Sequence, residues 1–273
     1  MNAMASPVAL PPGWDCHVHV FDGTGTAAGA HYTPVPRPLA QIESVAQAHG
    51  CGHVVLVQPS VYGSDNTLLL QALRTSTGRH RGVVVLHGEE SAAELDAMHA
   101  AGVRGARFNL VSPVGSTVEA VPAMLERLTP ALRERGWHVQ WYGTPAQLPQ
   151  IAQWQAACGR PFVLDHLAGI TVADADDDGV WAALRAIADA GGWIKLSGWY
   201  RLQATAPYGA LQPLVRRVAE CFGERMVWGS DWPHTSFPPQ AMPAYGSLWQ
   251  PVVRALGEEK AQDVRQAGGR LYA

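Results

Sequence analysis

His17 and His19 stand two residues apart in WDCHVHVF, while His166 and Asp231 close the later apolar runs PFVLDH and MVWGSDW. Imidazole and carboxylate groups move protons near neutral pH and also bind divalent ions. These four residues could therefore activate a water for attack on a carbonyl carbon, with or without a metal. On an extended strand the two-residue spacing puts both imidazoles on one face. A single buried His is commonly just a satisfied core residue, but two side by side carry a desolvation cost that a purely structural core avoids.

For groups so far apart in sequence to meet, the fold must bring strand ends together. Eight short runs read as strands: 14–21, 53–58, 82–87, 105–111, 138–143, 161–166, 193–198 and 226–232. Helix-like segments separate them at 38–50, 64–76, 91–102, 119–136, 145–159, 178–191 and 206–223, with a last one over 249–272, and several end at Gly as helix C-termini do. Eight alternating βα units predict an α/β fold of the (β/α)8 TIM-barrel class, whose catalytic groups come from the C-terminal ends of the strands. An open doubly wound sheet would need G-x-G-x-x-G after strand one, and the glycines of HVHVFDGTGTAAGA have another spacing. Residues 13–273 are expected to form the single domain and residues 1–12 a loose leader. The Gly-, Ala- and Pro-rich segments 22–38 and 237–247 read as lids over one mouth, and DADDD (174–178) as a solvated helix start. Trp14 and Trp232 read as packing residues, and His31, His49, His80 and His99 as loop or helix-surface residues, with only His31 near the mouth.

Composition narrows the function class. The 273 residues are 47% hydrophobic and 16% charged, enough for one large core. The formal net charge is -3 with no long Lys/Arg run, which argues against nucleic acid and for a small-molecule substrate. No apolar run approaches the roughly 18 residues of a membrane span, and the N-terminal stretch lacks the basic and apolar regions of a secretory signal. Cys16, Cys51, Cys158 and Cys221 are scattered without a C-x-x-C pair, which suits a reducing cytoplasm better than a disulfide scaffold or zinc cluster. A homo-oligomer is compatible with all of this.

The motifs WDCHVHVF, HYTP, QPSVYGSDN, GVRGARFN, WHVQWY, VLDHLAG and VWGSDWPH, in this order, resemble the metal-independent lactonase branch of the amidohydrolase superfamily, which includes the pyrone-dicarboxylate lactonases. The resemblance runs from about Trp14 to the C-terminus. It implies that Asp231 is the general base that takes a proton from water, that His17, His19 and His166 surround the lactone carbonyl oxygen, and that Tyr142 contacts the substrate. It further implies that Tyr32 and Ser60 hold substrate oxygens and that Arg107 and Arg201 grip a carboxylate, a task for which a planar guanidinium is suited. For Arg107 the competing reading is an ion pair with a barrel carboxylate, and for Arg201 a surface charge. His234, three residues after Asp231, is a further substrate-site candidate, with a capping role in the PH turn as its alternative.

Two departures bear on specificity. Where that branch carries an Arg soon after RFN this chain reads LVSPVG, and where it carries one after the DH motif this chain reads HLAGIT. A less acidic lactone, such as a sugar-acid or muconolactone-like compound, is therefore expected. No cofactor is expected, since strand five ends in Tyr142 and no Lys lies on strand four or five. The alternatives are a single zinc at His17, His19, His166 and Asp231 in a metal-dependent hydrolase or decarboxylase, a lactone isomerase in the same pocket, and a binding protein that retains the barrel.

Overall fold

In a computed structural model, which describes residues 9–273, eight parallel strands alternate with helices. The chain runs β1 (Gly13–Val18), α1 (Leu39–Ala48), β2 (Cys51–Val57), α2 (Thr67–Thr75), β3 (Arg81–Val84), α3 (Ala92–Ala101), β4 (Val103–Asn109) and α4 (Val121–Glu134). It continues through β5 (His138–Tyr142), α5 (Leu148–Cys158), β6 (Phe162–Leu164), α6 (Asp178–Asp189), β7 (Trp193–Leu196), α7 (Gln212–Phe222) and β8 (Met226–Trp228), and ends in α8 (Gln250–Leu256), α9 (Glu258–Gln266) and α10 (Gly268–Leu271). The strands pair in the order β1 to β8. The ends meet just past β8, where Asp231 N donates to His17 O and His19 N donates to Trp232 O, both at 2.9 Å. The expected (β/α)8 barrel is thus the observed architecture.

Strand alternation sorts the side chains. Phe108, Trp141, Leu164, Ile194 and Leu196 face the helix layer, while Cys16, Val55, Val57, Val83 and Val227 pack with Trp14 and Tyr272 inside the barrel, toward its N-terminal end. Pairing of β1 with β2 slips between Asp15 and Val18. A bulge of this kind breaks the two-residue period, so Cys16 and His17 both point inward while Asp15 turns out to accept the Tyr245 hydroxyl. His17 and His19 still share the inner face as their spacing predicts.

Most predicted elements appear with shifted ends. The last helical stretch is three pieces, broken at Gly257 (φ 80°) and at Ala267. The DADDD segment is indeed a helix start, with the Asp177 side chain accepting the amides of Gly179 and Val180. Of the expected leader, residues 1–8 lie outside the described residues. Residues 11–12 run beside β2, where Gly52 N donates to Pro11 O and Pro12 bridges Cys51. His80 is not a surface residue: it is buried against Glu43 at 2.8 Å, and burial pushes its imidazole down to about 3. No helix among the described residues is long and apolar enough to cross a membrane.

Candidate active site

The four sequence candidates meet at the C-terminal mouth of the barrel, all buried. Asp231 Oδ1 lies 3.5 Å from His19 Nε2, 3.7 Å from His17 Nε2 and 4.0 Å from His166 Nε2. Its other oxygen, Oδ2, accepts the Tyr200 hydroxyl at 2.6 Å and Arg201 Nε at 2.7 Å. Backbone conformation is specialised here: His166 (φ 50°) and Asp231 (φ 59°) both adopt the left-handed region, which non-glycine residues favour only when the surroundings impose it. Gly198 after β7 lets His166 in, because a Cβ there would come within 2.4 Å of His166 Nδ1.

Each imidazole is fixed from behind. His19 Nδ1 donates to the Val57 carbonyl at 2.8 Å, so the Nε2 of a neutral His19 carries a lone pair toward Asp231. His166 Nδ1 bonds the Ser197 hydroxyl at 3.0 Å, and His17 Nδ1 sits 3.2 Å from Asp165 Oδ1. The resemblance assigns all three rings to the carbonyl oxygen. With Nδ1 committed to Val57, a neutral His19 ring offers an acceptor at Nε2, suited to a water proton or a cation. His166 can still donate from Nε2, since a hydroxyl behind it can give as well as take a proton.

Beneath the histidines lies a polar layer of which only Arg107 stood out in the sequence. Asp165 on the turn after β6 binds Arg107 Nε (3.0 Å), Gln140 Nε2 (3.1 Å) and Lys195 Nζ (3.3 Å), and Lys195 donates to Gln140 Oε1 at 2.7 Å. Arg107, Gln140 and Lys195 stand on β4, β5 and β7. The signal was available: each is a polar residue at an inward position of its strand, as alternation allows one to count. Arg107 thus adopts the ion-pair reading held as its alternative, while its side chain also lines the cavity.

A cavity of about 260 Å³ opens above these groups, and its lining includes His19, His31, Tyr32, Ser60, Arg107, Tyr142, His166, Arg201 and Asp231. Of the residues expected to touch substrate, all but His17 and His234 are there; His17 lies fully buried beneath it. His234 is buried behind Asp231, against Tyr200 (ring centroids 6.1 Å), and its amide closes the turn onto Asp231 O at 3.0 Å. The segment 22–38 does reach the mouth through His31 and Tyr32. The segment 237–247 is in part structural, with Tyr245 buried in the barrel wall.

Electrostatics follow from burial and pairing. Burial alone would raise the Asp231 carboxyl, but Arg201 and the imidazoles outweigh it and hold the group well below the usual carboxylate range. Burial pushes His17 well below the usual imidazole value and His166 down to about 4. Asp231 is therefore ionised but weakly basic, held by its cation rather than poised by burial. It follows that Asp231 should contribute to kcat/KM an acid limb that lies below the ordinary carboxylate pKa of about 4 in the native enzyme. Arg201→Met should move that limb upward, because losing the cation raises the folded-state pKa and the base is protonated sooner as pH falls. An unmoved limb in the variant's pH profile would remove Arg201 from that role.

His17, His19 and Asp231 present ligand atoms within 4.8 Å of one another. Together with the unbonded Asp231 Oδ1 and His17 Nε2, these three side chains are a donor set that fits a divalent ion such as zinc, while His166 groups instead with His17 and Asp165. An ion held there would lower the pKa of a bound water to about 7.

Residues 14–268 match the amidohydrolase family model. The chain belongs to the amidohydrolase family. It is 34% identical to a 2-pyrone-4,6-dicarboxylate hydrolase of Comamonas testosteroni, covering 82% of this chain and 78% of that protein. It is 31% identical to a 4-sulfomuconolactone hydrolase of Rhizobium radiobacter, covering 93% and 87%. Among solved structures, an inferred 2-pyrone-4,6-dicarboxylic acid hydrolase from Pseudomonas putida superposes with a TM-score of 0.83 at 32% identity, covering 95% of this chain and 97% of that one. These amidohydrolase relatives are lactone hydrolases by name, as the motifs led one to expect.

Proposed function

We propose that this amidohydrolase opens a small lactone without a resident metal, with Asp231 as the base. The observation that carries this reading is the division of labour on one carboxylate: Oδ2 is held by Arg201 and Tyr200, which leaves Oδ1 facing His17, His19 and His166. Water donates one proton toward Asp231 Oδ1 and is oriented by the His19 lone pair. Its oxygen bonds to the lactone carbonyl carbon, and His166 Nε2 with the Tyr142 hydroxyl stabilises the oxyanion. As the ring C–O bond breaks, Asp231 returns the proton to the leaving oxygen, giving a hydroxy acid.

Charge favours the metal-free form of this chemistry. Setting the histidines aside, Arg107, Lys195 and Arg201 supply three positive charges against two negative ones from Asp165 and Asp231. A net positive pocket attracts an anionic substrate and disfavours a further dication. With no additional Arg in the loops after β4 and β6, a singly charged or sugar-acid lactone suits it better than a dicarboxylate.

The test is metal analysis of the purified protein together with a chelator-treated assay on sugar-acid, muconic and pyrone lactones. A ring-opened acid, formed at an unchanged rate with far less than one metal per chain, is expected. Activity that vanishes with chelator and returns with one zinc per chain would make His17, His19 and Asp231 metal ligands. A product lactone of unchanged mass would replace hydrolysis with isomerisation.

A further inference from the structure

Beside the catalytic cavity lies a second, larger space of about 420 Å³, on the same face of the barrel and sharing Ser60, Arg107 and Asn109 with it. Val85 and Leu86 after β3, Val114, and Val121 and Met124 on α4 supply its apolar surface. The loop between β4 and α4 walls it and carries no charged side chain from Leu110 to Val118. That loop is built rather than slack. Asn109 Oδ1 accepts the amides of Val111 (3.0 Å) and Ser112 (2.9 Å), and Ser116 N donates to Asn109 O at 2.8 Å. Gly115 passes so close that a Cβ would lie 1.9 Å from Asn109 O, so only glycine closes the turn.

Resting on the lactonase reading above, we propose that this chamber receives an apolar arm of the substrate. The substrate class is then a lactone with one anionic group held in the positively charged cavity and an alkyl or aryl substituent lying against Val114, Val121 and Met124. Three features support this assignment. The two spaces share Ser60, Arg107 and Asn109, so an arm leaving the reacting ring on that side is directed toward the chamber. Arg107 in the chamber's lining is already engaged by Asp165, so a second anionic group would find no free guanidinium or ammonium there. The hydrogen-bonded loop also forms the space in advance, which spares the ordering cost of binding.

Binding of straight-chain monocarboxylates from acetate to octanoate, followed by calorimetry or NMR titration, tests the chamber independently of turnover. In the native enzyme each added methylene should tighten Kd by about three- to fourfold until the space is filled, as burial of a methylene predicts. Met124→Trp, on the half-buried face of α4, and Thr117→Trp, in the exposed loop, should each flatten that dependence while acetate binds as before. A flat dependence in the native protein, a slope unchanged in both variants, or no saturable binding at any length would overturn the proposal. If the slope appears but no lactone is opened, the chamber stands and the catalytic reading fails. If short lactones are opened and the slope is absent, the reverse holds.

Discussion

Asp231→Asn is expected to lower kcat by about 10³–10⁴-fold while KM changes little, the upper range for losing a positioned general base. The amide keeps the shape of the carboxylate, so the Tyr200 contact and the turn through His234 can persist. What disappears is the capacity to take a proton at the oxygen that faces the three imidazoles. Steady-state kinetics on whichever lactone is turned over would measure the loss, with far-UV circular dichroism confirming the fold. A variant within tenfold of native turnover would show that another group accepts the proton and would remove Asp231 from the centre of the mechanism. Arg201 makes the size of the effect informative. A carboxylate held so far below its usual range is a weak base in the free enzyme, so a large loss in Asp231→Asn would mean that substrate binding raises its basicity.

Much of this site could be read before any coordinates, and the parts that could not have physical reasons. His17, His19, His166 and Asp231 were legible because each closes or occupies a strand run, and a barrel sends such positions to one mouth. Tyr32, Ser60, Arg107, Tyr142 and Arg201 were placed by motif and do line the cavity. Partnership was harder to see. Asp165 stands next to His166, and its role becomes visible only when β4, β5 and β7 close around it. Tyr200 neighbours Arg201, and both reach Oδ2 of Asp231 only because a short helical turn after β7 places them there. The bulge in β1 was invisible for a related reason: alternation can be counted in a sequence, whereas a slip in register depends on the neighbouring strand. His234 looked like a site residue by proximity in sequence, but its left-handed backbone (φ 60°) turns the ring behind Asp231.

The polar layer under the histidines carries the largest expected effect on stability. Asp165 is fully buried and is the carboxylate that both Arg107 and Lys195 contact there. Asp165→Ala leaves those two cations buried without their partner, a change that should cost about 3–5 kcal/mol, a large share of the roughly 5–15 kcal/mol typical of a folded domain. Lys195→Met should cost less, because Arg107 still neutralises the carboxylate. The two losses should not add, since each removes part of the same network. Denaturant unfolding of the native protein, both single variants and the double variant would provide the comparison, and Asp165→Ala within about 1 kcal/mol of native stability would contradict this account. The pH dependence has a definite sign. Burial would raise the Asp165 carboxyl, but Lys195, His17 and Arg107 hold it well below its usual range. Its contribution is therefore complete above the unfolded value of about 4 and is lost only as pH falls below it. Because His17 sits on the same carboxylate at 3.2 Å, Asp165→Ala should also release the ring that faces Asp231. Turnover of the surviving folded fraction should then fall further than the loss of stability alone explains.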